Sequence, residues 1–406
     1  EKGFRLVIPA PEDVGGRFSA LTAFALFPAA LIGINIEEVL AAAAEVEKSC
    51  TRDDVDNPAL KLACFLYAGY LKGRDKFSLI LPPSGQVFGL WVEQLVAESL
   101  GKEGKGILPN VEVDASILSV PRDDRTVITY AVGSCEGFHE SITNIDTSIP
   151  VLCYAINAPH EVFLRFVIWE YAIAFLGILL EVFPFDQPDV EITKVLVKEL
   201  LANRDTAQET SDCLETTFDE GIVRVLRVST AVSDDPDGPN DPDDPGDPGD
   251  PGDPDDPGDP DQALRALLGS LRGGDYFSLN AFVPFRGYGR REALERMRNR
   301  VASRLGVVSC LEIGPRYLHS TGQLHKGGPN NGVFLIISAD EDNDIAVPGE
   351  NFTLGDLAAT QAQGDFAALA SLGRRVIQVH LSGNDSETLS RFADRLCAAV
   401  SAIKLP

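Results

Sequence analysis

The sequence is poor in the residue types that build metal centres and disulfide frameworks. It has five histidines and seven cysteines in 406 residues, and the cysteines show neither CxxC nor Cys/His ligand spacing. Scattered cysteines in an odd number argue against a zinc site and against a disulfide framework. We therefore expect reduced thiols, no metal site and a cytoplasmic protein.

Methionine is also nearly absent, since Met297 is the only one. We therefore expect that the sequence does not begin where translation starts and that no signal peptide opens it. We expect a piece of a longer protein that is incomplete at its N-terminus.

Clustered positive charge is missing as well. Half of the formal net charge of −26 comes from the 13 aspartates of residues 234–261, a stretch without Lys or Arg. Because a polyanion requires a cationic surface, we expect no nucleic acid partner. The repeated Gly-Asp-Pro units cannot form a helix or a central strand. They predict a disordered acidic linker over residues 233–261, and the alternative, a calcium-binding Asp repeat, lacks the bidentate Glu of an ordered calcium loop.

Long uncharged apolar runs are few. Residues 18–36 carry no charge and approach the ~20 residues of a bilayer span, but they contain Pro28. Residues 162–183 include Arg165 and Glu170, which are costly in hydrocarbon. We interpret both runs as core helices, with a membrane span as the alternative, and we expect no membrane partner.

Apolar periodicity predicts an alternation of helices and strands. Before the linker, it predicts helices at 17–33, 36–48, 58–72, 86–99, 161–182 and 189–202 and strands at 77–81, 126–132 and 150–156. After the linker, it predicts helices at 262–272, 290–304, 354–371 and 386–402 and strands at 276–283, 332–338 and 375–381. This order predicts the α/β class, with a doubly wound parallel sheet flanked by helices and then a smaller C-terminal α/β domain.

Three short segments carry candidate chemistry, and the first is DVGGRFS at residues 13–19. Its glycines, Gly16 among them, let the backbone pass close to a ligand. Arg17 follows at the start of a predicted helix, where a guanidinium can stabilise developing negative charge. Taken alone, the segment is more typical of a helix-start turn with a surface Arg.

The second and third segments are QLVAESLGK (94–102) and FDQPDVEITK (185–194). Gln94 and Glu98 lie four residues apart on one helical face, and a carboxylate placed there can act as a general base. Gln187 and Lys194 flank a helix that starts with Pro, and such a lysine can bind phosphate or hydroxyl oxygens. On spacing alone, an ordinary solvated glutamate and an exposed helix explain the two segments.

In order and content, the three segments resemble the phosphoglucose isomerase (glucose-6-phosphate isomerase) family. The surrounding residues, FGLWVEQLVAESLGKEGKGILP and PFDQPDV, extend the likeness. The stretch GPRYLHSTGQLHKGGPNNGVFLII (314–337) is similar to the third region of the isomerase half in fused transaldolase/glucose-6-phosphate isomerase proteins. The resemblance covers nearly all of the chain except the acidic linker.

The resemblance implies a sugar-isomerase (SIS) fold. Residues 1–56 would be the helical tail of a first SIS domain, residues 57–232 a second SIS domain and residues 262–406 a C-terminal α/β domain. It implies reversible isomerisation of glucose 6-phosphate and fructose 6-phosphate without a cofactor, in glycolysis, gluconeogenesis and the pentose phosphate pathway. It also implies a sugar phosphate as the bound partner, a homodimer, and phosphate-binding loops upstream of Glu1, so these 406 residues alone would be weakly active or inactive.

The resemblance also implies roles for individual residues. Glu98 matches the base that moves a proton between sugar carbons 2 and 1 through a cis-enediolate. Arg17 matches the arginine that stabilises this intermediate, and Lys194 the lysine that assists at the ring oxygen. The positions that match substrate-binding residues are Gly16, Gln94 and Gln187.

The ring-opening histidine of the family has no counterpart at its usual place, because no His lies between Gly101 and Phe138. We assign this role to His325, in the glycine-rich LHSTGQLHKGG segment, with His319 as the second candidate. A structural imidazole is the alternative for either one. Lys326, beside His325, is placed to meet the phosphate.

Two other functions stay open at this point. One is a non-catalytic SIS module that binds a sugar phosphate and regulates a partner. The other is an isomerase that also accepts mannose 6-phosphate, because carbon-2 epimers differ only in the face that presents the proton.

Overall fold

The computed structural model describes residues 3–112, 115–132, 143–156, 161–202, 213–217, 221–233, 259–284, 289–341 and 343–403. The chain divides into two compact units, Glu1–Gln187 with Ser320–Gly328 and Pro188–His319 with Pro329–Pro406. The predicted domain boundaries, after residues 56, 232 and 261, stay predictions. Residues 234–258 of the acidic stretch lie outside the described residues.

The described helices and strands alternate through most of the chain. The helices are α1 (Ala23–Leu31), α2 (Ile36–Cys50), α3 (Pro58–Tyr70), α4 (Gln86–Leu100), α5 (Glu161–Leu180), α6 (Val190–Ala202), α7 (Thr230–Ser233), α8 (Pro260–Gly269), α9 (Arg290–Leu305), α10 (Thr321–Gly327), α11 (Leu354–Ser371) and α12 (Ser386–Ala402). The strands are β1 (Lys76–Ile80), β2 (Leu108–Glu112), β3 (Arg125–Val132), β4 (Val151–Ile156), β5 (Cys213–Thr217), β6 (Val223–Ser229), β7 (Tyr276–Phe282), β8 (Val308–Ile313), β9 (Gly332–Ala339) and β10 (Arg375–Leu381).

The first unit contains a four-stranded sheet of order β2-β1-β3-β4, in which every neighbouring pair is parallel. All five residues of β1 are buried, as expected for a parallel strand covered by helices. Trp169 of α5 stacks near Phe77 of β1 and donates a hydrogen bond to the Tyr130 hydroxyl at 2.8 Å. This core supports α4, the helix that carries the second sequence motif.

The second unit contains a six-stranded mixed sheet of order β5-β6-β10-β9-β7-β8. Strands β10, β9, β7 and β8 are parallel to their neighbours, and β6 pairs antiparallel with both β5 and β10. Strands that precede the acidic stretch in sequence therefore share a sheet with strands that follow it. In both units, parallel strands flanked by helices confirm the predicted α/β class.

Polar caps explain where several helices begin. The Asn57 side chain accepts hydrogen bonds from the backbone N–H groups of Ala59 and Leu60, both at 3.0 Å, and Pro58 occupies the first turn of α3. Asp259 caps α8 by accepting from Asp261 N at 3.0 Å. Helix α8 therefore begins at Pro260, two residues before the predicted start.

The predicted helix over 17–33 is wrong in its first part. A 3-10 helix covers Gly16–Phe18, and α1 begins only at Ala23. Thr22 is the reason, because its side chain accepts a hydrogen bond from Phe24 N at 3.3 Å and so caps α1 at this point. Arg17 consequently lies in a short turn and not at the start of the long helix.

Among the described residues, α5 is the one helix long and apolar enough to cross a bilayer by length and composition. Its inner face is buried in the first unit at Val167, Ile168, Trp169, Ala172, Ile173, Leu176, Gly177 and Leu180. The burial of this face agrees with the interpretation of α5 as a core helix.

Candidate active site

Arg17 lies at the centre of the candidate site and is 3% exposed. Its Nε donates a hydrogen bond to Ser99 Oγ at 2.8 Å, and Nη1 donates to Gln187 Oε1 at 2.9 Å. Its Nη2 donates to two backbone oxygens, of Pro184 at 2.9 Å and of Asp186 at 3.0 Å. The planar guanidinium is therefore held in one orientation by Ser99 of the second sequence motif and by residues 184–187 around the start of the third.

Glu98 lies in the last turn of α4, next to Arg17, and is 7% exposed. Its Oε1 is 3.3 Å from Arg17 Nη1, and its Oε2 accepts a hydrogen bond from Gln94 Nε2 at 3.1 Å. The four-residue spacing of Gln94 and Glu98 does place both side chains on one face of the helix. The structure thus brings together Arg17, Gln94, Glu98 and Gln187, four of the residues predicted from the sequence.

The electrostatics of the site are dominated by burial. Burial lowers the pKa of the Arg17 guanidinium, whereas the nearby charges of Glu98 and Asp186 raise it. Since arginine side chains stay protonated in proteins, Arg17 remains a cation at neutral pH. A fixed positive charge therefore lies beside Glu98.

Lys102 belongs to the second motif, but sequence reasoning gave it no role. It is 3% exposed, and its ammonium donates to Phe183 O at 2.5 Å, Asp186 O at 2.5 Å and Asp186 Oδ1 at 2.6 Å. Burial lowers the pKa of Lys102, and the hydrogen bond with Asp186 acts against this effect. Lys102 fastens residues 183–186 to the end of α4, and these residues supply two of the acceptors of Arg17.

Two aromatic residues complete the surroundings of Arg17. Trp91 Nε1 donates to the Arg17 backbone oxygen at 2.9 Å, and the Phe18 ring centroid lies 5.2 Å from the guanidinium carbon. Phe18 in turn packs 5.2 Å from the ring of Phe185. The quoted motifs contained these aromatic residues, and the position of Phe18 directly after Arg17 was a signal that could have identified it.

Helix α10 carries His325 and Lys326 and belongs to the first unit. Gln323 Nε2 donates to Gly101 O at 3.0 Å, and Gly104 N donates to Gly327 O at 2.8 Å. These bonds hold α10 against the turn that directly follows α4. His325 and Lys326 are 1% and 3% exposed, and Lys326 Nζ donates to Gly322 O at 3.3 Å.

Three further residues were predicted for the site. Lys194 lies in α6, and its side chain is outside the described residues. His319 ends the 3-10 helix Arg316–His319 and belongs to the second unit. A Cβ atom at Gly16 would meet nothing within 4 Å, so the space beside this glycine is open. The roles assigned to Gly16, Lys194 and His319 stay predictions.

A cavity of about 480 Å³ in the first unit opens beside Gly16. Its lining is mainly apolar and includes Phe24, Trp91 and Phe166. An apolar lining does not suit a phosphate group, which requires cations or N–H donors. Within the described ranges, no group of three or more His, Cys, Asp or Glu side chains has an arrangement that could hold a metal ion.

Comparison with known proteins confirms the resemblance to glucose-6-phosphate isomerases, but over less than half of the chain and not over the nearly full extent predicted from the sequence. No family model matches the chain. The chain is similar to the glucose-6-phosphate isomerase of Bacillus cereus (strain AH187), with 33% identity over 225 residues, 45% of this chain and 50% of that protein. The glucose-6-phosphate isomerase of Bacillus anthracis matches with the same identity and coverage. The chain spans about half the length of the curated relatives it matches.

A glucose-6-phosphate isomerase structure from Chlamydia trachomatis is also similar, with 10% identity, a TM-score of 0.23 and coverage of 87% of this chain and 72% of that one. A score this low carries no argument about the fold. The family resemblance therefore depends on the sequence motifs and on the curated relatives.

Proposed function

We propose that this chain is part of a glucose-6-phosphate isomerase, in which Glu98 moves a proton between sugar carbons 2 and 1. The observation that carries the proposal is the buried pair of Arg17 and Glu98, 3.3 Å apart. The curated relatives, which are named glucose-6-phosphate isomerases, support the type of reaction.

The chemistry requires a base and a cation close together. When the base removes the proton from carbon 2, negative charge develops on the enediolate oxygens, and a fixed cation lowers the energy of this charge. Glu98 would take the proton and return it to carbon 1, while Arg17 would stabilise the enediolate. Because the orientation of Arg17 is already fixed by its hydrogen bonds, little reorganisation would be needed during the reaction.

The remaining roles follow the family resemblance. Gln94 and Gln187 would position the substrate hydroxyl groups, His325 would open the sugar ring, and Lys326 would meet the phosphate. Lys194 would assist at the ring oxygen, with His319 as the second candidate for ring opening. In this proposal, the complete protein includes further residues that bind the phosphate, and its fusion to a transaldolase stays part of the same expectation.

The test is the conversion of fructose 6-phosphate to glucose 6-phosphate by the full-length protein and its Glu98→Gln variant. Loss of a general base should lower kcat by about 10²–10⁴-fold. Glu93→Gln is the matched control, because Glu93 lies in the same helix and is 6% exposed. Full activity in Glu98→Gln would overturn the proposed mechanism.

The same assay addresses the two alternatives. Binding of fructose 6-phosphate by the wild-type protein without turnover would indicate a regulatory SIS module. Turnover of mannose 6-phosphate by the wild type, lost in Glu98→Gln, would extend the substrate range of the same site.

A further inference from the structure

A row of hydrogen-bonded polar side chains crosses the mixed sheet of the second unit. Arg227 Nε donates to Glu215 Oε2 at 2.7 Å, and its Nη1 donates to Gln378 Oε1 at 3.3 Å. Gln378 Nε2 donates to Ser338 Oγ at 3.4 Å, and Ser338 Oγ lies 2.9 Å from His380 Nδ1. The row ends where His380 Nε2 lies 3.0 Å from Asp340 Oδ1.

Strand register explains why these side chains meet. Glu215 pairs with Arg227, Arg227 pairs with Gln378, and Ser338 pairs with His380 across neighbouring strands. Directly paired residues project from the same face of a sheet, so the row follows from the register of β5, β6, β10 and β9.

The row lies on a sheet face that a helix covers, where buried side chains are usually apolar. Gln378 and Ser338 are 2% and 1% exposed, on a sheet face that helix α11 covers. Burying polar groups costs free energy unless each one is hydrogen-bonded, and even a satisfied network gains little over apolar packing. A row of polar groups in such a place therefore indicates a use beyond stability.

A cavity of about 300 Å³ lies above the row. Its lining includes four members of the row, Arg227, Ser338, Gln378 and His380, and from α11 the side chains of Asp356, Ala359, Thr360 and Gln363. Ser338 and His380 are each the second-last residue of a parallel strand. In open α/β sheets, ligands bind at the carboxyl ends of the strands, and a volume of about 300 Å³ is within the range of ligand pockets.

The charged side chains around the cavity indicate which class of molecule can bind in it. Arg227 is paired with Glu215, and the carboxylates of Asp340 and Asp356 lie at the end of the row and on α11. Positive charge is therefore not in excess, and the site does not suit a phosphate or a carboxylate. The amide and hydroxyl groups of Gln378, Gln363, Thr360 and Ser338 can both donate and accept hydrogen bonds.

We propose that this cavity is a binding site for a small neutral molecule rich in hydroxyl groups, of the polyol class. Its hydroxyls would bond to the amides and to Thr360, and the polar row would be its floor. Asp340 orients His380, because a carboxylate can only accept and so fixes the ring proton on Nε2. The cavity lies within the second unit, whereas Arg17 and Glu98 belong to the first, and its occupancy does not depend on the isomerase proposal.

The test uses xylitol as the probe and saturation-transfer NMR on the full-length protein. We expect transfer to xylitol in the wild type and at least a tenfold weaker signal in Ala359→Leu, which fills the cavity. Ala358→Leu makes the same change at the neighbouring position of α11, outside the cavity lining, and should leave the signal unchanged. Gln363→Ala, a milder change at a half-buried residue, should weaken the signal at least threefold and covers the case in which Ala359→Leu fails to fold.

Three results would overturn the proposal. The first is the absence of any transfer in the wild type, and the second is a signal that survives in both cavity variants. The third is displacement of xylitol by inorganic phosphate, which would indicate an anion site. Glu98→Gln should bind xylitol like the wild type, so failure of the isomerase mechanism and failure of this proposal give different results.

Discussion

Glu98 Oε1 lies 3.3 Å from Arg17 Nη1, and both side chains are buried. Taking two charges out of water costs several kcal/mol per ion, so a buried ion pair is weak evidence for stability. The hydrogen bonds of Arg17 to Ser99 and Gln187 and of Gln94 to Glu98 offset part of this cost. In the proposed function, the pair serves the chemistry of the site.

Arg17→Lys should damage both the site and the fold around it. An ammonium cannot reach Ser99, Gln187 and the backbone oxygens of residues 184 and 186 together, so buried acceptors lose their donors. We expect urea unfolding to show a loss of about 1–3 kcal/mol and the isomerase assay of the full-length protein to show a drop of about 10²-fold or more. Arg52→Lys, in an exposed ion pair, is the control and should change neither value much. Wild-type activity in Arg17→Lys would show that a bare positive charge suffices.

Lys102→Met should loosen residues 183–186. The change leaves the Phe183 and Asp186 backbone oxygens without their ammonium donor, which should cost about 1–3 kcal/mol of unfolding free energy. Lys105→Met is the matched control in the same turn, because the Lys105 ammonium donates to Leu180 O at 2.9 Å and is more exposed than that of Lys102. Urea denaturation should therefore show a clearly smaller loss of unfolding free energy for Lys105→Met. Equal losses in the two variants would contradict the role of Lys102 in holding residues 183–186.

Gly101→Ala should push α10 away from the end of α4. A Cβ atom at Gly101 would lie 2.4 Å from Leu324 Cα and 2.8 Å from Ala97 O, both backbone atoms that cannot yield cheaply. Overpacking of this kind typically costs about 1–3 kcal/mol. Gly15→Ala is the control, since a Cβ there meets nothing within 4 Å. Thermal unfolding of both variants checks the prediction, and a neutral Gly101→Ala would mean that α10 is not held where the structure places it.

Glu170 should make stability fall as pH rises. Burial raises its pKa to about 8, and Oε1 has no hydrogen-bond partner within the described part of the chain. Between the unfolded pKa of about 4.3 and the folded value, only the folded state binds this proton, so each pH step upward favours unfolding. Below this pH range, Glu170 is protonated in both the folded and the unfolded state, so its titration does not change the unfolding free energy. Above the range, both states have lost the proton and the destabilisation is complete.

Glu170→Gln should therefore gain stability over the wild type progressively from pH 5 to pH 8. Urea denaturation at pH 5, 6.5 and 8 measures this gain. Glu161→Gln, in the first turn of the same helix, is the control for the loss of a carboxylate from α5. A gain for Glu170→Gln that does not change with pH would contradict the predicted titration.

The sequence predicted the strongly apolar elements and failed at the edges of the sheets. The central strands β1, β9 and β10 are mostly buried and rich in apolar residues, and they were predicted within one or two residues. The strands that were missed are β2, β5 and β8, which are outermost in their sheets, and β6, which lies between β5 and β10, whereas the outermost strand β4 was predicted. An edge strand pairs on one side only and tolerates residues such as Pro109 of β2, so its sequence carries a weaker signal.

The residues of the candidate site were likewise predicted only in part. Arg17, Gln94, Glu98 and Gln187 were identified because their motifs resemble a known family, whereas the role of Lys102 depends on where residues 183–186 fold back. Long-range contacts of this kind are set by tertiary packing and leave no periodic pattern in the sequence. The seven-residue helix α10, with glycine at two positions, was missed because short helices gain little from intrinsic propensity.

Proton exchange in D₂O tests the central assignment most directly. The full-length wild-type protein, incubated with fructose 6-phosphate, should exchange hydrogen at carbon 1 of the sugar and deliver deuterium to carbon 2 of glucose 6-phosphate. In Glu98→Gln, with folding verified by circular dichroism, the exchange rate should fall by about 10²–10⁴-fold, because the base is gone. Exchange at the wild-type rate in Glu98→Gln would contradict the assignment of Glu98 as the proton carrier.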